Sequence, residues 1–277
     1  MSSLDANLKD PKGYLERMSH SLREKLKVAE YIPQSARDIL DVGCADGTVT
    51  HALAPLFPKA VLTGIDLNPD FIEAAKAASV DVSGPRFETV YLREMLARPE
   101  RFDALMFTSV LHEFYSYGEG MSSVVKALAD AYELLVPGGR IIVRDMMLSG
   151  RSREKSPVAD SIAAKIRTVP AMLPLIADFE RFHGPLDSLY TVNHFLLKYF
   201  YTDNWERECE EHYVPVTNEE YTQLFALLGA EVVHNETYCI PYLRDKWGRD
   251  FGLSSDELDM LVSTSIVVAQ KPTAEPK

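Results

Sequence analysis

The stretch DILDVGCADGTVT, residues 38–50, runs from an apolar strand-like segment through a glycine-containing turn into a helical pattern. Four more strand-like runs follow, and helical patterns separate most of them. The runs cover residues 60–65, 86–92, 102–109 and 139–145, and the clearest helical patterns cover 47–56, 69–78 and 121–135. This alternation predicts parallel strands joined by right-handed crossovers, and therefore a doubly wound α/β sheet. Ligands of such sheets bind beyond the carboxyl ends of the strands, where the turn of residues 38–50 lies.

Composition limits the class of protein. The chain has 277 residues, 46% of them hydrophobic, and a formal net charge of −12. The polar N-terminus and the lack of a long apolar window predict a cytoplasmic protein without a membrane span. Three scattered cysteines predict reduced thiols and no structural metal. The acidity disfavours nucleic-acid binding, which rests on basic surfaces.

The turn has an unusual chemistry for a nucleotide site. Gly43 and Gly47 are spaced G-x-x-x-G, whereas loops that bind pyrophosphate use G-x-G-x-x-G. Asp41 and Asp46 would repel a pyrophosphate, and Asp66 closes the next strand at a position where acids bind ribose hydroxyls in related folds. A ligand with an ammonium, a sulfonium and a ribose but no phosphate suits these groups better. S-adenosylmethionine has these parts.

Four blocks in order, DVGCADG, GIDLNPD, FDALMFTSVLHEF and LLVPGGRIIVRD, resemble the class I S-adenosylmethionine-dependent methyltransferases. The resemblance covers about residues 38–145. It implies a mostly parallel seven-stranded sheet, with residues 230–240 and 261–270 as its last two strands, and S-adenosylhomocysteine as the product. The cofactor-binding residues that it implies are Asp41, Gly43, Cys44, Ala45, Asp46, Gly47, Asp66, Leu67, Tyr91, Leu92, Ser109 and Val110. The third strand lacks the acid that binds adenine in many relatives, so backbone amides are expected to bind it.

Three side chains at the predicted ligand edge are candidates for a general base. His112 and Glu113 follow the fourth strand, and Asp145 ends the fifth. Histidine suits general-base chemistry near neutral pH, so His112 is placed first, Asp145 second and Glu113 third. A structural histidine or a carboxylate bonded to a backbone amide is the alternative for each residue.

The region after the fifth strand interrupts the sheet pattern. The predicted divisions are an N-terminal helical cover (1–36), the cofactor-binding core (37–147), a helical, aromatic-rich substrate lid (148–216) and a final part with a helix and two strands (217–277). A helical pattern over Tyr14 to Ile32 forms most of the cover. The predicted substrate-binding residues are Arg144, Tyr190, His194, Tyr199 and Trp205, although the lid's rings could equally form a core of their own.

These features predict methyl transfer from S-adenosylmethionine to a small or medium-sized acceptor at oxygen or nitrogen. Two alternatives stay open at this point. A basic cluster between residues 140 and 167 would suit an RNA or nucleotide methyltransferase, and the clear cofactor loop would also suit a non-catalytic regulatory subunit. A homodimer is possible.

Overall fold

A computed structural model describes residues 22–79 and 84–273, in which seven strands form one sheet. The strands are β1 (Asp38–Val42), β2 (Val61–Asp66), β3 (Arg86–Thr89), β4 (Phe102–Thr108), β5 (Leu135–Asp145), β6 (Glu231–Tyr238) and β7 (Thr264–Gln270). Their order is β3-β2-β1-β4-β5-β7-β6. Strands β1 to β5 run parallel, and β7 is antiparallel to both β5 and β6. The predicted doubly wound, mostly parallel, seven-stranded sheet is confirmed.

Helices cover both faces of the sheet because side chains alternate along each strand. Leu40 packs into one apolar cluster with α5 and α10, while its neighbour Ile39 packs into the other with the N-terminal segment and α2. The helices are α1 (Leu22–Lys25), α2 (Thr48–Leu53), α3 (Pro69–Ala77), α4 (Leu111–Tyr117), α5 (Met121–Leu134), α6 (Pro157–Arg167), α7 (Met172–His183), α8 (Leu189–Leu196), α9 (Trp205–Glu210), α10 (Asn218–Leu227), α11 (Pro241–Phe251) and α12 (Ser255–Asp259).

Two strand ends and the N-terminal helix differ in detail from the sequence prediction. Strand β3 stops at Thr89 because a short 3-10 helix begins at Leu92. Strand β4 stops at Thr108 because Ser109 has a φ of 58°, a left-handed conformation that no strand can continue. The predicted helix from Tyr14 continues beyond α1 as a 3-10 helix, Leu26–Tyr31, and its part before residue 22 lies outside the described residues.

The predicted lid has a core of its own. Apolar side chains of α6, α7 and α8 pack together with Val214 and with Trp247 of α11. Trp247 is fully buried, and its Nε1 donates to the carbonyl of Leu196 in α8 at 3.0 Å. The segment 241–253 carried no functional signal in the sequence, and the packing adds it to the lid. None of the described helices is both long enough and apolar enough to span a bilayer.

Candidate active site

The cofactor loop begins at Gly43, directly after β1, where the backbone lies against the side chain of Val110. Gly43 has a φ of 70°, and a Cβ built on it would lie 2.4 Å from Cγ2 of Val110. Gly47 has a φ of 73°, and a Cβ there would lie 2.7 Å from the ring of Phe87. Only glycine fits these positions without strain. The backbone can therefore approach a ligand closely along this edge, which is the cradle that the cofactor needs.

Asp66 fixes the shape of this loop. One carboxylate oxygen accepts the N–H of Ala45 at 2.9 Å, and the other accepts the N–H of Asn68 at 2.9 Å. Asn68 in turn caps α3 by accepting the N–H of Asp70. Each carboxylate oxygen has a second lone pair, so Asp66 can still accept from ribose hydroxyls. The ribose contact stays a prediction, and loop anchoring is an additional role.

Asp41 is buried at the end of β1 and accepts the hydroxyl of Thr50 at 2.7 Å. Burial raises the pKa of Asp41 to about 6, Asp66 raises it too, and Thr50 and Lys25 oppose the shift. Lys25 of α1 is also buried. Burial, with help from Arg144, lowers the pKa of Lys25 to about 8, against the attraction of Asp41, Asp46 and Glu113. The N-terminal segment thus brings an ammonium group to the loop, which the sequence alone did not indicate.

The remaining loop residues line its turn and the neighbouring strand ends. Cys44 is buried, and burial raises the pKa of its thiol far above the ordinary range, so it is inert filler. Asp46 accepts the N–H of Thr48 at the start of α2. Leu67 and Tyr91 follow β2 and β3 and are 41% and 44% exposed, respectively. Their contact with the adenine ring stays a prediction, and Leu92 is buried.

Arg144 binds structural partners. It is buried on β5, where its Nε donates to the carbonyl of Glu24 and its Nη1 donates to Oγ of Ser109 at 3.0 Å. The N–H of Ser109 donates to the carbonyl of Arg144 at 2.7 Å. Arg144 therefore holds the left-handed turn after β4 in place and ties it to the N-terminal segment.

His112 lies between two carboxylates. Its Nδ1 is 2.7 Å from Oδ1 of Asp145, and its Nε2 is 3.1 Å from Oε1 of Glu211. The backbone N–H of His112 also donates to Asp145, at 3.1 Å. Burial would lower the pKa of His112, but the two carboxylates outweigh it and raise this pKa well above 6.5. Each ring nitrogen thus has a carboxylate partner, and these partners favour the charged form of the ring.

Glu211 is the residue that the sequence analysis missed. It follows α9 of the lid, and its second carboxylate oxygen accepts the hydroxyl of Tyr117 in α4 at 3.0 Å. Burial would raise its pKa, yet His112 and the nearby cations lower it overall. Its distance of 99 residues from His112 along the chain hides the pair from any local pattern. The only hint in the sequence was that Glu211 stands directly before His212 and Tyr213, two other residue types common in active sites.

Glu113 is the third predicted base. It lies 4.0 Å from Arg207 of α9 and is partly exposed. Within the described residues, ligand atoms of His112, Glu113 and Glu211 all lie within 4.8 Å of one another, a set that could hold a divalent ion.

The predicted substrate-binding residues of the lid divide into two groups. Tyr190 lies beneath the guanidinium of Arg153, 5.5 Å from its ring centre, and 6.1 Å from the ring of His194. Tyr199 donates to Asp250 of α11 at 2.5 Å, and Trp205 donates to Asp178 of α7 at 3.2 Å. The latter two serve the lid's own core, and their substrate contacts stay predictions.

His194 has one ring nitrogen without a partner among the described residues. Its Nε2 lies 3.1 Å from the backbone nitrogen of Tyr213 and 3.3 Å from the carbonyl oxygen of Glu211, so the ring tautomer decides whether Nε2 accepts or donates, whereas Nδ1 is fully buried and has no hydrogen-bond partner among the described residues. Burial lowers the pKa of His194 well below 6.5, and Lys198 lowers it further. Nδ1 of His194 is thus a buried polar atom whose hydrogen bond is not made within the described residues.

Acidic neighbours neutralise most of the basic cluster. The pairs are Arg153 with Glu220, Lys155 with Asp187, Lys165 with Glu257 and Arg167 with Glu180. Such pairing leaves little excess positive charge for a nucleic-acid phosphate backbone.

Part of the chain is similar in sequence to known methyltransferases. Residues 40–141 match the model of a family described as a methyltransferase domain. This core belongs to the class I, S-adenosylmethionine-dependent methyltransferases. The methyltransferase core is 33% identical over 78 residues to trans-aconitate 2-methyltransferase of Streptomyces avermitilis, a match that covers 27% of this chain and 29% of that protein. It is 32% identical over 119 residues to the ubiquinone biosynthesis O-methyltransferase of Xylella fastidiosa, covering 42% of this chain and 44% of that protein.

The fold similarity extends over nearly the whole chain. The structure of human N-acetylserotonin methyltransferase in complex with S-adenosylmethionine has 15% sequence identity and a TM-score of 0.55, and it covers 98% of this chain and 57% of that chain. The matched segments span less than half the length of the two relatives by sequence. The sequence similarity therefore concerns the cofactor-binding core, and the lid has to be interpreted from its own residues.

Proposed function

We propose that this protein transfers the methyl group of S-adenosylmethionine to a hydroxyl oxygen of a small or medium-sized acceptor bound beneath the lid. The observation that carries the proposal is the 2.7 Å contact between Nδ1 of His112 and Asp145. His112 lies two residues along the chain from Val110, which packs on Gly43 of the cofactor loop. A positioned base beside the cofactor loop is useful for an acceptor that must lose a proton.

The proton transfer follows from the two contacts of His112. The base is the neutral ring, which keeps its proton on Nδ1 toward Asp145 and has none on Nε2. As the acceptor oxygen bonds to the methyl carbon and the bond from that carbon to sulfur breaks, Nε2 takes the hydroxyl proton, and Asp145 stabilises the ring charge. Bound S-adenosylmethionine supplies an activated methyl group. The acceptor hydroxyl binds at Nε2 beside the Glu211 carboxylate, which keeps its place through its hydrogen bond with Tyr117. Glu211 then stabilises the imidazolium that forms.

The lid supports a small acceptor. The ring of Tyr213 lies 5.4 Å from that of His112 and 6.1 Å from that of His194. The ring of His194 in turn lies 6.1 Å from that of Tyr190. Rings of this kind exclude water and bind flat or apolar molecules, and the unpaired Nδ1 of His194 would form a hydrogen bond with a polar group of the acceptor. One relative's name prints trans-aconitate, and the other's prints ubiquinone biosynthesis and O-methyl transfer. Both names are compatible with an oxygen acceptor of moderate size.

The test combines labelled cofactor with a metabolite extract. S-adenosylmethionine carrying an isotopically labelled methyl group is incubated with the purified protein and a cell extract, and products are analysed by mass spectrometry. A labelled O-methyl product is expected, and His112→Ala should reduce its rate about 10²–10⁴-fold. His234→Ala is a matched control, because His234 also contacts a glutamate but lies on the edge strand β6. Cofactor binding without any labelled product would contradict the proposal.

A further inference from the structure

A buried lysine underlies the contact between the lid and the catalytic histidine. Lys198 follows α8 and has no exposed surface. Its Nζ donates to the carbonyl of Glu208 at 2.6 Å and to the carbonyl of Glu211 at 2.5 Å. These carbonyls lie at the C-terminal end of α9, where the partial negative charge of a helix favours a cation. The ammonium thereby connects the last turn of α9 to the residue that contacts His112.

Aromatic rings hold this ammonium in place. Nζ of Lys198 lies 4.6 Å from the ring centre of Tyr213 and 5.8 Å from that of Phe179. Tyr213 is the same ring that packs on His112. The hydroxyl of Tyr213 donates to Glu208, which closes the network around Lys198.

We propose that Lys198 is a positioning residue for the reaction, because its hydrogen bonds to the Glu208 and Glu211 carbonyls fix the turn that presents the Glu211 carboxylate to His112. The inference rests on the proposed function. Without this restraint, the Glu211 carboxylate would move away from Nε2 of His112. A displacement of about 1 Å of a group in an active site can cost about 10²-fold in rate.

The charge of Lys198 supports this role. Burial lowers its pKa to about 8, while Glu211, Glu208 and Cys209 raise it, so the ammonium is mostly charged at neutral pH. The same charge contributes to the lowered pKa values of the neighbouring histidines, and it favours the ionised form of Glu211. The titratable groups that face Lys198 are Glu208, Cys209 and Glu211 at the end of α9, His183 of α7, His194 of α8, and His212 and Tyr213 after α9.

The test uses Lys198→Met, which keeps the length of the side chain and removes its donors. We expect kcat on the alkaline plateau, where His112 is deprotonated, to fall about ten- to a hundredfold, and the NMR titration midpoint of the His112 ring to move to lower pH, with cofactor affinity preserved. In a Glu211→Gln background the same substitution should change kcat less than about twofold, because residues that act through one contact are not additive.

Lys165→Met is the matched control. Lys165 of α6 also donates to a main-chain carbonyl, that of Gly252, and to a carboxylate, that of Glu257, within the lid. Equal losses in Lys165→Met and Lys198→Met would overturn the proposal, because they would indicate general damage to the lid. A folded Lys198→Met protein with the wild-type His112 titration, or with the same loss of kcat in the Glu211→Gln background, would also overturn it.

Lys198→Gln serves if Lys198→Met does not fold. Its shorter amide reaches at most one of the two carbonyls, so an intermediate titration midpoint and kcat are expected, and wild-type behaviour would contradict the inference. A wild-type protein that binds the cofactor and transfers no methyl group would contradict the proposed function instead. The His112 titration would then still decide whether Lys198 positions Glu211.

Discussion

The carboxylate of Glu211 lies 3.1 Å from Nε2 of His112, and this contact joins the lid to the cofactor-binding core. His112 begins α4 at the end of β4, whereas Glu211 belongs to a segment inserted after β5. The contact therefore depends on how the lid packs over the core. The position of the inserted segment and the environment of His112 are therefore linked through this contact.

Glu211→Gln should move the pH dependence of turnover. The carboxylates raise the pKa of His112 well above 6.5, and a base acts only when deprotonated, so kcat should rise with pH through an alkaline limb. Removing one carboxylate lowers the His112 pKa, and the limb should shift to lower pH. The check is a pH–rate profile at saturating cofactor; an unchanged limb would mean that another group controls it.

The same shift predicts a pH dependence of stability. The folded-state pKa of His112 lies above its unfolded value of 6.5, so its ion pairs contribute fully below about pH 6.5 and are lost as the pH rises through the folded value. His112→Asn should therefore lower the free energy of unfolding more at pH 6 than at pH 10. Denaturant unfolding at both pH values measures this difference, and an equal loss at both would exclude the charged contact.

Gly43→Ala should disrupt the cofactor loop. The new Cβ would lie 2.4 Å from Val110 at a φ of 70°, and left-handed strain costs about 1–2 kcal/mol before the clash is added. Gly120→Ala is the control, because Gly120 has a φ of 62° with no atom closer than 3.8 Å. Thermal melting and calorimetry with S-adenosylmethionine should show a much larger loss for Gly43→Ala.

Asp66→Ala should weaken cofactor binding about ten- to a hundredfold, because hydrogen bonds to a charged acceptor contribute roughly 1.5–3 kcal/mol. The loss also includes the support that Asp66 gives to Ala45. Asp70→Ala, an exposed acid in the next helix, is the control. Calorimetric titration with S-adenosylhomocysteine measures both; equal affinities in the two variants would remove Asp66 from the cofactor site.

Chelation tests whether His112, Glu113 and Glu211 bind a metal ion that the reaction needs. Because His112 and Glu211 are in direct hydrogen-bond contact, turnover should be unchanged after dialysis against EDTA. Activity that is lost on chelation and restored by Mg²⁺ or Mn²⁺ would instead place an ion on His112, Glu113 and Glu211.

The sequence by itself determined the sheet and the glycine turn that follows β1. Alternating periodicity identified the strands, and Gly43, Asp41 and Asp66 identified the loop, because local backbone conformation and short-range spacing encode both features. His112 and Asp145 could also be placed at one edge, since the carboxyl ends of adjacent parallel strands meet there.

Only the tertiary structure decided which groups meet His112 and what state they give it. Glu211 and Lys198 come from a lid whose helices pack through apolar contacts between distant segments, including Trp247, and no local pattern encodes that packing. Arg144, chosen from the sequence for substrate, binds Ser109 and Glu24 because burial demands partners for its charge. Burial and long-range charge pairing set the protonation of His112, and both exist only once the chain has folded.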